Sequence, residues 1–245
     1  DIIGQRSAVN VMPGMWEMLG GLLKGITTVI IPAEIQKEPK EFAQFICQHK
    51  LSFLTLTPSL LRAMLQYDEC TVWLASLRMV IVGGEPLSLQ LYQQFRERLP
   101  HATLINDFGA TEVNTILHSA FSPSQTLQEV NPAAGVPIAN VKAYILDQSL
   151  QVLPPGVLGE LYVGGHSLAL GYYNNDQQNQ NKFFIHPLLG RLYRTGDSGL
   201  LLPTGQIEMK GRMDGAVKIN AFLVETAQIE QAILNCSGIS KCAVI

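Results

Sequence analysis

The stretch Asn106-Asp107-Phe108-Gly109-Ala110-Thr111-Glu112 offers an aromatic ring, a hydroxyl and a carboxylate in quick succession. An apolar run over 102–105 precedes it and Val113-Asn114-Thr115-Ile116-Leu117 follows, so it reads as a strand end that turns sharply. The chemistry suits a nucleotide: a ring face for a base, a hydroxyl for a phosphate oxygen, a carboxylate for a divalent cation. A second glycine-bearing turn, Gly83-Gly84-Glu85-Pro86, is the other candidate. Taken singly, each is ordinary. An isolated Phe is usually core, and a lone carboxylate or Arg is usually a solvated surface group.

The elements that must position these residues alternate over 1–125. A helix is expected at 15–24, closed by Gly25, and a β-branched strand at 27–31. Helix 39–49 opens on Pro39, with Phe42, Phe45 and Ile46 on one face, and strand 51–56 follows. Helix 59–67, strand 78–82, helix 88–99 with Ser88 as N-cap, and strand 103–105 complete the run. Strand–helix repetition predicts a parallel sheet layered with helices, and such sheets bind ligands at the C-terminal ends of their strands. Both glycine-bearing turns fall there.

From about 126 the pattern changes. Short strands are expected at 141–146, 157–163, 192–194, 199–202 and 206–209, split by turn signals such as Pro154-Pro155-Gly156 and Pro203-Thr204-Gly205. That predicts an antiparallel, barrel-like subdomain, with 174–181 a loop running into a helix. After Gly211 come a strand at 216–219, a helix at 226–234, and a final strand that looks cut, so a fragment is expected.

Composition narrows the function. The 245 residues are 47% hydrophobic but only 15% charged, as in a large enzyme core or a piece whose surfaces meet other protein. A net charge of −3 without a basic cluster gives no footprint for nucleic acid or an anionic membrane. No membrane span or signal peptide is visible. Cys47, Cys70, Cys236 and Cys242 match no zinc spacing and read as reduced thiols, which points to the cytoplasm. The five histidines, His49, His101, His118, His166 and His186, form no constellation and read as structural or surface groups.

Four motifs in order carry a resemblance: Phe108-Gly109-Ala110-Thr111-Glu112, Gly159-Glu160-Leu161-Tyr162-Val163-Gly164-Gly165, Tyr193-Arg194-Thr195-Gly196-Asp197, and Gly211-Arg212-Met213-Asp214 followed by Val217-Lys218-Ile219. The chain resembles the adenylate-forming superfamily, and most of all an adenylation domain of a nonribosomal peptide synthetase. The resemblance implies that a carboxylic acid and ATP give an acyl-adenylate, whose acyl group passes to a carrier-domain phosphopantetheine. It implies that 1–125 is the second half of a large α/β core, 126–211 a β-barrel-like subdomain, and 212–245 the hinge and start of a small α+β domain. Expected partners are the remainder of the same domain, a carrier domain and neighbouring synthetase modules.

The resemblance also implies roles. Phe108 stacks on adenine, lined by Gly84, Glu85, Pro86, Asn106, Asp107 and Gly109. Thr111 holds the α-phosphate and Glu112 the Mg²⁺, the two catalytic positions. Asp197 takes both ribose hydroxyls, Arg212 reaches the ribose or phosphate, and Asp214 is the hinge. The substrate pocket is Met12, Pro13, Trp16, Thr55, Ile81, Gly83, Asp107, Thr115 and Ile116.

The departures sharpen the expectation. Met12 stands where members that take α-amino acids carry an Asp for the substrate ammonium, and a thioether cannot offset the desolvation of an ammonium. The expected substrate therefore lacks an α-ammonium: a keto, hydroxy, aryl or acyl acid. Asp107 is a competing partner for an amine elsewhere on the substrate. Asn220, Ala221 and Leu223 replace a basic residue, a Gly and an Arg, while Ser167 and Leu170 replace a Gly and an Arg. These changes fit either relaxed constraint or a remodelled pantetheine entrance. A phosphate loop upstream of Asp1 and a lysine late in the small domain are missing, so this polypeptide alone is expected not to form adenylates. Rival readings are a stand-alone acyl- or aryl-CoA ligase and a non-catalytic scaffold.

Overall fold

The computed structural model describes residues 1–125, 132–213, 217–219 and 222–224, with isolated positions between 229 and 244. It divides into two compact units, Asp1–Ile138 and Ala139–Ile245.

Unit one is built on β1 (Ile2–Gln5), β2 (Thr27–Ile30), β3 (Phe53–Leu56), β4 (Met79–Gly83), β5 (Thr103–Ala110), β6 (Asn114–Phe121) and β7 (Val136–Pro137). The sheet order is β2-β1-β3-β4-β5-β6-β7. The first five strands are mutually parallel, whereas β6 and β7 are antiparallel additions. Helices α1 (Met12–Lys24), α2 (Pro39–His49), α3 (Pro58–Leu65), α4 (Cys70–Trp73) and α5 (Leu89–Arg98) connect them. Local chemistry starts and stops these helices. The Thr57 hydroxyl accepts from the Leu60 amide and the Ser88 hydroxyl from the Leu91 amide, each satisfying an otherwise orphan donor. Gly25, at φ 64°, ends α1 in a left-handed cap.

Strand alternation decides what each residue faces. Leu54, Leu56, Val80, Val82 and Leu104 join Phe42, Ile46, Leu61, Tyr92 and Phe95 in one buried cluster. Thr55, Ile81, Ile105 and Asp107 alternate with them and so line the opposite face.

The structure corrects the sequence reading at the strand that ends on the candidate loop. Strand β5 does not stop at Ile105; it continues to Ala110, and only 111–113 form the turn into β6. Asn106, Asp107 and Gly109 have poor strand propensity, and pairing with β6 overrides it. Strands β1 and β7 were also not legible in advance, being too short to show a period, and α1 begins three residues earlier than expected.

Unit two contains β8 (Val141–Leu146), β9 (Gly159–Gly165), α6 (Asp176–Lys182), β10 (Phe183–His186), β11 (Gly190–Leu201) and β12 (Ile207–Arg212). Its antiparallel sheet runs β10-β11-β9-β8, with β12 also on β11. The strands expected at 192–194 and 199–202 are one strand, β11, interrupted by an irregularity. Leu146, Tyr162 and Leu192 form its small buried cluster. Beyond it, β13 (Val217–Ile219) and β14 (Phe222–Val224) make an antiparallel pair. Asp214, Asn220 and Ala221, and most of the helix expected at 226–234, lie outside the described residues. Among the described residues no helix is long and apolar enough to cross a membrane.

Candidate functional site

In unit one the candidate residues gather at the C-terminal ends of the parallel strands. Ladder register places Thr55 beside Ile81 and Ile81 beside Ile105; one step on, Gly83 lies beside Asp107. All five share one face of the sheet. Gly83 is there for space: a Cβ would sit 2.8 Å from the Asp107 carbonyl oxygen. Trp16 reaches this side from the first turns of α1, its ring edge-on to Phe53 at 6.0 Å and 80°. Met12 and Pro13 occupy the first turn of the same helix.

What holds that helix against the strand end is Glu17, which is fully buried. Its carboxylate accepts the Arg6 and Ser7 amides at 3.0 and 2.8 Å and the Ser7 hydroxyl at 3.0 Å. Burial depresses the Arg6 guanidinium below its ordinary range, and the Glu17 charge opposes that shift. The sequence reading used Trp16 and passed over Glu17, although a carboxylate beside a pocket aromatic on a helix's buried face is a signal.

Asp107 is the charged member of that sheet face. Thr115 Oγ1 donates to its Oδ2 at 3.3 Å. Burial pushes its carboxyl up from the usual range, while the Thr115 hydroxyl and His118 pull it down. His118 stands directly opposite Asp107 in the β5–β6 ladder. That juxtaposition was missed because β6 was not foreseen, and it gives His118 a setting that sequence alone denied it. Ile116 is fully buried.

Phe108 is the next residue and points to the other face, half-buried. Two adjacent side chains of one strand can therefore serve two different ligands. Asn106 shares the face of Phe108, and its amide donates to the Ala133 carbonyl at 3.1 Å. Gly109 packs tightly on the returning strand, since a Cβ would fall 2.3 Å from the Asn114 carbonyl oxygen. Thr111 is exposed and Glu112 half-buried, both in the turn. In the 83–86 turn Gly84 adopts φ 82°, and Glu85 accepts the Ser59 amide at 3.0 Å and its hydroxyl at 2.9 Å. The two turns at the ends of β3 and β4 are thereby tied together, with Pro86 exposed beside them.

In unit two, Asp197 and Arg212 meet as cross-strand partners of β11 and β12, Arg212 Nη1 donating to Asp197 Oδ1 at 3.2 Å. Both side chains are nearly buried, 11% and 12% exposed. Beside them, Arg194 Nε donates to both Glu160 oxygens at 2.9 and 3.0 Å, and the Tyr162 hydroxyl donates to Glu160 at 3.1 Å. Burial and the Glu160 charge push the Tyr162 phenol up to about 12.

The described residues contain no group of three or more His, Cys, Asp or Glu side chains able to enclose a metal. Glu112 offers a carboxylate in the turn, and an ion such as Mg²⁺ can draw the rest of its ligands from phosphate and water.

Comparison with known proteins now adds to this geometry. A family model described as AMP-binding enzyme matches residues 7–173. The chain is similar to a plipastatin synthase of Bacillus subtilis (strain 168), 34% identical over 235 residues, which is 94% of this chain and 9% of that protein. It is similar to a linear gramicidin synthase of Brevibacillus parabrevis, 36% identical over 246 residues, 98% of this chain and 3% of that protein. Among solved structures, holo-PA1221 is described as a nonribosomal peptide synthetase protein containing adenylation and carrier (PCP) domains bound to a vinylsulfonamide inhibitor. It superposes with a TM-score of 0.88 at 28% identity, over 100% of this chain and 43% of its own. IdnL1 shares the fold, with a TM-score of 0.93 at 22% identity over 100% of this chain and 52% of its own. The chain therefore spans about half or less of the proteins it matches.

Proposed function

The chain belongs to the AMP-binding enzymes, and from that premise we propose that it is the part of a synthetase adenylation domain holding the adenine, ribose and acyl pocket. The reaction of the whole has two steps. A carboxylate oxygen attacks the α-phosphorus of ATP and pyrophosphate leaves; a carrier phosphopantetheine sulfur then attacks the acyl carbon and AMP leaves. Phe108 supplies the stacking face for adenine, with Gly84, Glu85 and Pro86 alongside, and Thr111 donates to the α-phosphate. Glu112 holds Mg²⁺, which neutralises phosphate charge when bound. Asp197 offers two acceptor oxygens to the ribose hydroxyls, with Arg212 donating to one of them. Asp214 acts as the hinge into a small domain that starts near 212.

The observation that carries this reading is the split at 107 and 108. Asp107 lies in register with Gly83 on the face of Thr55 and Ile81, while Phe108 turns to the other face. One strand end can then separate an acyl group from a base. The acyl side is mostly apolar, and Met12 at the helix start offers no charge to an α-ammonium. The substrate is a keto, hydroxy, aryl or acyl acid, and Asp107 with His118 opposite it is the place for a donor on the far part of that acid.

Similarity to modular synthetases supports a carrier domain and neighbouring modules as partners, and the reading of the cysteines as reduced thiols supports a cytoplasmic setting. The test is acid-dependent ATP–pyrophosphate exchange by the intact parent protein. Exchange with at least one acid of a keto, hydroxy, aryl, acyl and amino panel is expected. No exchange with any of them would reject the reading.

A further inference from the structure

Asp197 does not sit on a regular strand. Between the paired residues Arg194 and Ser198, β11 has three residues where β9, between Tyr162 and Glu160, has one. A second register shift, against β12, follows at Ser198 and Gly199. Such a bulge takes ladder partners away from both strands, and buried amides and carbonyls must find others. Here one side chain replaces them. The Thr195 hydroxyl, on a residue only 3% exposed, donates to the Leu161 carbonyl at 2.9 Å and accepts the Asp197 amide at 2.9 Å. Gly196, at φ 81°, turns the chain between them, and its carbonyl accepts the Met213 amide at 2.8 Å.

We propose that Thr195 is a positioning residue for nucleotide recognition, its hydroxyl clamping the bulge that aims the Asp197 carboxylate at the ribose. This rests on the reading of Asp197 as the ribose ligand. A hydroxyl alone can donate to one strand and accept from the other at once, and β-branching limits the rotamers of the clamp. Valine keeps the shape and loses both bonds. Serine keeps both bonds and loses only the methyl.

The test uses the intact parent protein, with ATP and 2′,3′-dideoxy-ATP as paired ligands in calorimetry. Thr195→Val is expected to weaken ATP by about tenfold, equivalent to about 1.4 kcal/mol, and dideoxy-ATP hardly at all. Thr195→Ser should stay within about threefold of the parent for both, in keeping with two retained hydrogen bonds. Equal loss of both ligands in the valine variant means a structural role only and overturns the proposal, as does no loss of either. Hydrogen exchange at the Asp197 amide gives a readout free of ligand: it should speed up in the valine variant and not in the serine one. If it is unchanged in the valine variant, the clamp is wrong. Asp197→Asn separates the two layers. If it weakens ATP no more than the dideoxy analogue while the exchange result holds, the ribose reading falls and the clamp stands.

Discussion

The two units deliver chemical groups by different means. In unit one the residues arrive at strand ends, where the parallel sheet stops and alternation alone sorts Asp107 from Phe108. In unit two Asp197 lies within a twelve-residue strand, and a bulge must break the ladder to turn it. A strand-end site tolerates change in its side chains because the backbone there is already committed elsewhere. A mid-strand site depends on the polar groups that repair the broken ladder. Mutations should therefore cost more stability around Asp197 than around Asp107.

The largest effect is expected at the Asp197–Arg212 pair. Removing one partner of a nearly buried ion pair costs up to about 3–5 kcal/mol. Asp197→Ala should cost about that in denaturant unfolding followed by a unit-two probe such as Tyr162. A loss below about 1 kcal/mol, the scale of an exposed pair, would make the contrast between units untenable.

Next in size is Glu17. Exchange for Gln trades an acceptor oxygen for an NH₂ that faces amide donors at Arg6 and Ser7. An expected cost of about 1–3 kcal/mol follows from leaving buried donors unsatisfied. The check is the unfolding midpoint; an unchanged midpoint would mean that α1 is held by other contacts.

The smallest effect concerns pH. Because burial raises the Asp107 carboxyl above its unfolded value of 3.8, the folded state binds that proton more tightly than the unfolded chain does. The stabilising contribution is present below the unfolded value and is lost as pH rises through the folded one. Asp107→Asn should therefore be more stable than the parent at neutral pH, with the difference closing as pH falls below about 4, the unfolded Asp range. Equal stability at pH 7, or a variant weaker there, would show that Thr115 and His118 outweigh burial.

These contrasts explain what could be read in advance. The layered α/β class, helices 39–49 and 88–99 and the 83–86 turn were legible because hydrophobic period, caps and Pro or Gly mark them locally. The ordered motifs named the family without any geometry. What escaped depends on distant partners. Strand β6 is needed to see that 106–110 is strand and that His118 faces Asp107, while β9 is needed to see that Thr195 does more than fill a motif. Glu85 reads as a ligand from its turn alone, and its contact with Ser59, 26 residues away, needs the fold to be seen.

The acyl side of the account is tested most directly by hydroxamate trapping in the intact parent, using matched α-keto, α-hydroxy and α-amino acids on the parent sequence and on Met12→Asp. The account predicts that the parent sequence traps the keto or hydroxy acid by at least about tenfold over the amino acid, the scale of an unpaired buried ammonium. Met12→Asp should shift the preference toward the amino acid. A parent sequence that favours the α-amino acid would contradict the account.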